Sequence, residues 1–147
     1  MYSELSTYID ARIAEVNAGI TGADNDLVKI DADINGAELP DNQNNNRYIL
    51  KIDNYQANQS EDRDYNVNLI IEFKFQIANY DATKYQVIMD NYIYALIKNI
   101  LTTNYYDGTI EPFHFEAYVV GLKNGNQFDS AKEIFSPEVT IEGLVVA

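Results

Sequence analysis

The sequence predicts an α+β fold: a mainly antiparallel sheet with a long hairpin, packed by an N-terminal helix and one long central helix. Three observations carry that expectation. From Tyr65 to Ile77 apolar and polar residues alternate, so Tyr65, Val67, Leu69, Ile71, Phe73, Phe75 and Ile77 share one face of a strand. From Ala82 to Leu101 the apolar residues recur at spacings of three and four, the mark of a helix with one buried side. Runs of strands around such helices, without regular strand–helix alternation, belong to the α+β class.

The 147 residues suit a single domain spanning 1–147, long enough for a real core. Residues 3 to about 18 read as an amphipathic helix, with Leu5, Tyr8, Ile9, Ile13 and Val16 on one face, Ser3 as N-cap and Gly19 as C-cap. Leu27–Ile30 is a candidate short strand. The run from Asn35 to Asn46 holds Gly36, Pro40 and repeated Asn with almost nothing to bury, and reads as an exposed loop.

Order resumes at Arg47, where Tyr48, Leu50 and Ile52 alternate with Ile49, Lys51 and Asp53 as the first strand of the hairpin. Gln59–Asp64 is its polar turn. Asp81 caps the central helix, and Thr83 to Gln86 fits a capping box. Tyr85, Ile88, Met89, Tyr92, Ile93, Leu96 and Ile100 form its inner side. Val87, Tyr94 and Leu101, spaced by seven, form a second stripe nearly opposite. That stripe is either incidental surface apolarity or a subunit contact.

Asn104–Gly108 reads as a turn. A strand follows from Thr109 to Gly121, with Phe113, Phe115, Ala117 and Val119 on one face. Pro112 lacks a ladder donor and sets that strand's start or an edge position. Asn124-Gly125 is a turn signal, Ser130–Phe135 a helical or irregular link, and Val139, Ile141, Gly143 and Val145 define a last strand.

The pattern carries little chemistry. Asp31, Asp33 and Asn35 followed by Gly36 match the first half of a calcium loop, but the twelfth position is Asn42 instead of the bidentate Glu, so an acidic turn is the better reading. His114, the one histidine, has Glu116 on its face and no second base or nucleophile beside it in the pattern. Cysteine is absent, which removes thiol nucleophiles, disulfides and thiolate metal sites. No Gly-x-Ser-x-Gly elbow or phosphate loop occurs. The expectation is a non-enzymatic chain with no cofactor.

A formal charge of −13 opposes binding of nucleic-acid phosphates or anionic membranes. No apolar run is long enough to cross a bilayer, and the N-terminus lacks the pattern of a signal peptide, so the chain reads as made in a cytosol. Twelve tyrosines, Tyr94, Tyr105, Tyr106 and Tyr118 facing outward among them, suit protein interfaces.

The order of elements resembles that of the tail terminator (tail completion) proteins of long-tailed bacteriophages. The features that carry it are the helix Leu5–Val16, the polar loop before the hairpin Arg47–Ile77, the long helix Ala82–Leu101, and the closing strands Pro112–Val120 and Glu138–Val146. The resemblance implies a virion structural protein, assembled in the host cytoplasm. It would form a homo-oligomeric ring, six subunits being one stoichiometry it admits, between the tail tube and the head. Its partners would be further copies of itself and other tail or neck proteins. On this reading Val87, Tyr94 and Leu101 lie in a subunit interface, and the acidic surface lets DNA pass without holding it. The alternative is a non-catalytic binding or adaptor domain for protein or carbohydrate.

Overall fold

The computed structural model describes residues 2–20, 25–30, 45–57, 65–103, 106–107, 114–124 and 127–146, with the backbone alone at 2–4, 52–57, 65–67, 80, 101–103, 106–107, 114–118, 120 and 144–146. The fold is α+β, with a mixed, mostly antiparallel sheet. Helix α1 spans Tyr2–Ala18 and buries Leu5, Tyr8, Ile9, Ile13 and Val16, the five residues its periodicity selects. Ser3 lies inside the helix and is not its cap. After Ala18 the chain turns, with Gly19 N–H donating to the Val16 carbonyl.

Strand β1 is short, Val28–Lys29, and runs parallel to β2, Arg47–Ala57. Strands β2 and β3, Tyr65–Gln76, form the expected antiparallel hairpin, with a bulge between Ile52 and Asn54. Leu69, Ile71, Phe73, Phe75 and Ile77 are all fully buried on the helix side. Burying one such side chain contributes roughly 1.5–3 kcal/mol, which makes β3 the backbone of the core. The Phe73 and Phe75 rings lie side by side, 6.0 Å between centroids.

The central helix begins at Asp81, whose carboxylate accepts from Thr83 N–H and Lys84 N–H, so Thr83 sits within the first turn and the cap is Asp81 alone. The helix then departs from uniform geometry. An α-helical piece, α2 (Ala82–Ile88), passes through a π turn (Met89–Tyr94) into α3 (Ala95–Thr103). The burial pattern explains this. Ile88-Met89, Tyr92-Ile93 and Leu96, with Ile100 beyond, repeat every fourth residue. On an α-helix a four-residue period drifts by about 40° per repeat. A π turn holds about one residue more than an α turn and sets the stripe back by roughly 100°, keeping every member against the sheet.

Three short strands went unforeseen. Tyr106–Asp107, read as a turn, is strand β4 and pairs with β5, His114–Lys123. Phe128–Asp129 (β6) and Ile134–Phe135 (β7) make a small hairpin beside the end of β3, where a helical or irregular link was expected. Asp129 accepts from the Ala131 and Lys132 amides in its turn. The last strand, β8 (Glu138–Val146), lies between β3 and β5, giving the order β1-β2-β3-β8-β5-β4. Strand β5 is therefore internal, and a bulge between Val119 and Gly121 shifts its phase, so Val119 and then Leu122 meet the core.

Helices α1 and α3 pack on each other and on one face of the sheet. The other face carries Arg47, Ile49 and Lys51 of β2 and Asn68, Ile70, Glu72 and Lys74 of β3, since their neighbours along each strand point into the core. Ile49 is nevertheless buried, a second-face residue covered despite a pattern that predicted a wet surface.

Candidate functional site

The outward side of the central helix holds two of the three exposed large apolar side chains among the described residues: Val87 at 47% and Tyr94 at 48% exposure, with Val28 on β1 the third. The side chain of Leu101 lies outside the described residues. The π turn falls between Val87 and Tyr94. The seven-residue spacing that aligns them on a uniform helix is thus offset by about one residue's rotation, and the pair forms an outward patch instead of a straight stripe. Asp90 and Asn91 are exposed within the same turn. What the arrangement offers is apolar surface on an otherwise hydrated helix face, of a kind suited to burial against another protein surface.

A second feature was not legible in the sequence. Asp10 of α1 bridges two partners: its Oδ1 accepts from the Tyr48 hydroxyl at 2.9 Å and its Oδ2 pairs with Lys29 Nζ at 2.9 Å. Lys29 Nζ also donates to the buried Ser6 Oγ at 3.1 Å. A serine beside a lysine raises the thought of a nucleophile and its base. Here the ammonium is already held by a carboxylate and points its protons at both oxygens, so the group reads as a polar rivet between α1, β1 and β2. Its hydrogen-bonded pairs are separated by 19 to 38 residues, and no local spacing announces the contacts of Lys29 and Tyr48 with α1.

Burial first, then the hydrogen bond and charge of Asp10, pushes the Tyr48 phenol far above its ordinary value of 10.0. A raised folded-state value means the neutral phenol's contribution is complete below pH 10 and is lost as the pH climbs beyond it. Tyr48→Phe is accordingly expected to cost about 1 kcal/mol at neutral pH through the lost hydrogen bond. Its deficit relative to the parent should shrink in urea melts between about pH 10 and 11, where the parent alone loses the phenol's contribution. A deficit that stays constant with pH would contradict the assignment.

On the open sheet face Glu72 bridges Lys51 and Lys74, the latter at 3.2 Å. Burial alone would raise the Glu72 carboxyl, but the hydrogen bonds and charges of the two lysines outweigh it and hold it below its ordinary value. Tyr92 donates its hydroxyl to the Asn25 carbonyl and packs its ring against Phe75, 5.2 Å between centroids.

The calcium candidates Asp31, Asp33 and Asn35 lie outside the described residues. Among the described residues no group of three carboxylate or imidazole side chains is placed to hold a metal ion. His114 opens β5, and the backbone alone is described there. Of the tyrosines expected to face outward, Tyr94 does; Tyr105 and the side chains of Tyr106 and Tyr118 lie outside the described residues. Among the described residues no helix is long and apolar enough to cross a membrane. No family profile matches the chain, and no curated protein sequence matches it.

Proposed function

We propose that this chain is a non-enzymatic structural subunit that assembles with copies of itself, and that its place is the ring of a phage tail terminator or a related neck or tail connector. The observation that carries the reading is the exposed pair Val87 and Tyr94 on a helix whose opposite side is already buried to completion. A subunit that works alone gains nothing from holding a valine and a tyrosine ring half in water on one helix face. A subunit that meets a neighbour there removes them from it. The element order, with its amphipathic first helix, long hairpin, single long helix and closing strands, supports the particular class. A formal charge of −13 suits a component past which DNA moves, since the like charges offer phosphates no site to hold. Its expected partners are other copies of the chain and the neighbouring proteins of a virion, with no specific nucleic-acid binding.

Replacing both residues together, Val87→Ala and Tyr94→Ala, tests the contact. Both are about half exposed, so the double variant should keep its thermal midpoint within a few degrees while assembly measured by light scattering falls steeply. Unfolding of the subunit, or undiminished assembly, would count against this face as the interface.

A further inference from the structure

Among the described residues three large apolar side chains are exposed, and they fall on two opposite sides of the subunit. Val87 and Tyr94 lie on the outward side of the central helix. Val28 lies on β1, at the sheet's edge, in register with Arg47 of β2. Paired residues of neighbouring strands share a face, so Val28 stands with Arg47 on the open side of the sheet. Its chain neighbours agree: Leu27 belongs to the core under the helices, and Lys29 reaches back to Asp10 and Ser6 of α1. The helices cover the other side of the sheet, so the two apolar exposures face away from each other.

Each is attended by a charge, and the charges are of opposite sign. The Arg47 guanidinium donates to the carbonyls of Asn45 and Asn46. Those bonds use its protons and leave its charge uncancelled, and among the described residues no carboxylate pairs with it. Lys74, across from Arg47 on β3, is held by Glu72. The acidic groups Asp10 and Asp26 lie on the helix side of β1, the first paired with Lys29 and the second near the Tyr92 hydroxyl. On the central helix, Asp90 comes three residues after Val87 and four before Tyr94, exposed within the same outward patch. Among the described residues no cation pairs with it. Lys84 and Lys98 stand a turn beyond either end of the patch.

We infer that these two surfaces meet between copies: the edge of one subunit, Val28 with Arg47, docks on the Val87, Asp90 and Tyr94 face of the next. The inference rests on the self-assembly reading above and names the partner surface of that helix face. Complementarity selects the occupant, because a second copy supplies what each surface lacks, apolar area to cover it and a charge of opposite sign. A contact between different surfaces is heterologous. Each copy that docks leaves one surface of each kind free, and growth continues until the rotation between neighbours closes a ring. Two helix faces meeting across a two-fold would instead bring two Asp90 carboxylates into one contact and stop at a dimer.

Cross-linking tests the pairing, since the chain has no cysteine of its own. Val28→Cys and Asn91→Cys each place one thiol at an exposed position of one surface. With a short bismaleimide, a mixture of the two variants should give mixed dimers at least about tenfold in excess over like-with-like dimers. A chain carrying both substitutions should give a ladder of larger species. Arg47→Glu and Asp90→Lys should each weaken assembly at least about tenfold, and the chain carrying both should recover it, because opposite charges meet again. Circular dichroism checks folding. Should Arg47→Glu fail that check, Arg47→Gln replaces it and, added to Asp90→Lys, should recover part of the loss by removing a repulsion. An excess of like-with-like dimers, wild-type assembly by either folded charge variant, or a combined chain that recovers nothing would overturn this contact. If assembly still falls in Val87→Ala/Tyr94→Ala, the helix face keeps its role and only its partner surface is wrong. A wild-type chain that never assembles sinks this contact and the proposed function together.

Discussion

Phe75→Ala is expected to cost about 3–5 kcal/mol of folding stability, enough to leave a marginal domain largely unfolded near its working temperature. The ring is fully buried on the sheet's helix face near the end of β3, 6.0 Å from Phe73 and 5.2 Å from Tyr92. Truncation loses the transfer energy of the ring and leaves a cavity bounded by a strand and a helix that cannot close over it. The neighbour Gln76 offers the contrast, since its side chain is exposed on the opposite face, and Gln76→Ala should fall within about 0.5 kcal/mol of the parent. Urea melts of the two variants check the pair. Similar losses in both would mean that β3 does not divide the molecule into a dry side and a wet one.

Asn17→Ala is expected to cost about 2 kcal/mol, a large effect for a half-buried polar residue. Its amide makes a reciprocal pair with the backbone of Leu27: Nδ2 donates to the Leu27 carbonyl at 3.0 Å and Oδ1 accepts from the Leu27 amide at 2.8 Å. The side chain stands in for a neighbouring strand. It joins Lys29–Asp10 and Tyr92–Asn25 in tying β1 and the segment before it to α1 and the central helix, and Leu27 itself is buried there. Truncation leaves two backbone groups of the buried Leu27 without these bonds. Hydrogen exchange should quicken first at the Leu27 amide. Unchanged protection there, with a normal urea midpoint, would show that the segment is held by its apolar contact alone.

Much of the fold could be read from local pattern because its main elements carry their own periodicity. Strand β3 carries a clear alternation, and the five inner apolar residues of α1 are the five apolar residues that it buries. What escaped is what depends on residues far apart. Strands β4, β6 and β7 are two residues long, and each exists because a longer strand or a facing pair offers it hydrogen bonds. The π turn answers a drift in the buried pairs that a uniform helical wheel absorbs without notice. Ile49 is covered from the face that alternation assigns to water. The rivet of Ser6, Asp10, Lys29 and Tyr48 joins three elements that local spacing cannot bring together.

The candidate site was partly legible for a simple reason. Val87 and Tyr94 conflict with the helix's own pattern, and an apolar residue out of phase is visible in sequence wherever it sits. Their exact alignment was not visible, because the π turn intervenes. The charge pairs of the open sheet face were hidden more deeply, because Glu72 meets Lys51 only through the pairing of β2 with β3.

Self-assembly is the claim on which the functional reading rests, and the mass of the wild-type chain in solution tests it most directly. Light scattering across a concentrated, low-salt elution peak is predicted to give a mass of three or more subunits. A mass of one subunit at every concentration, or of a closed dimer that grows no further, would contradict it.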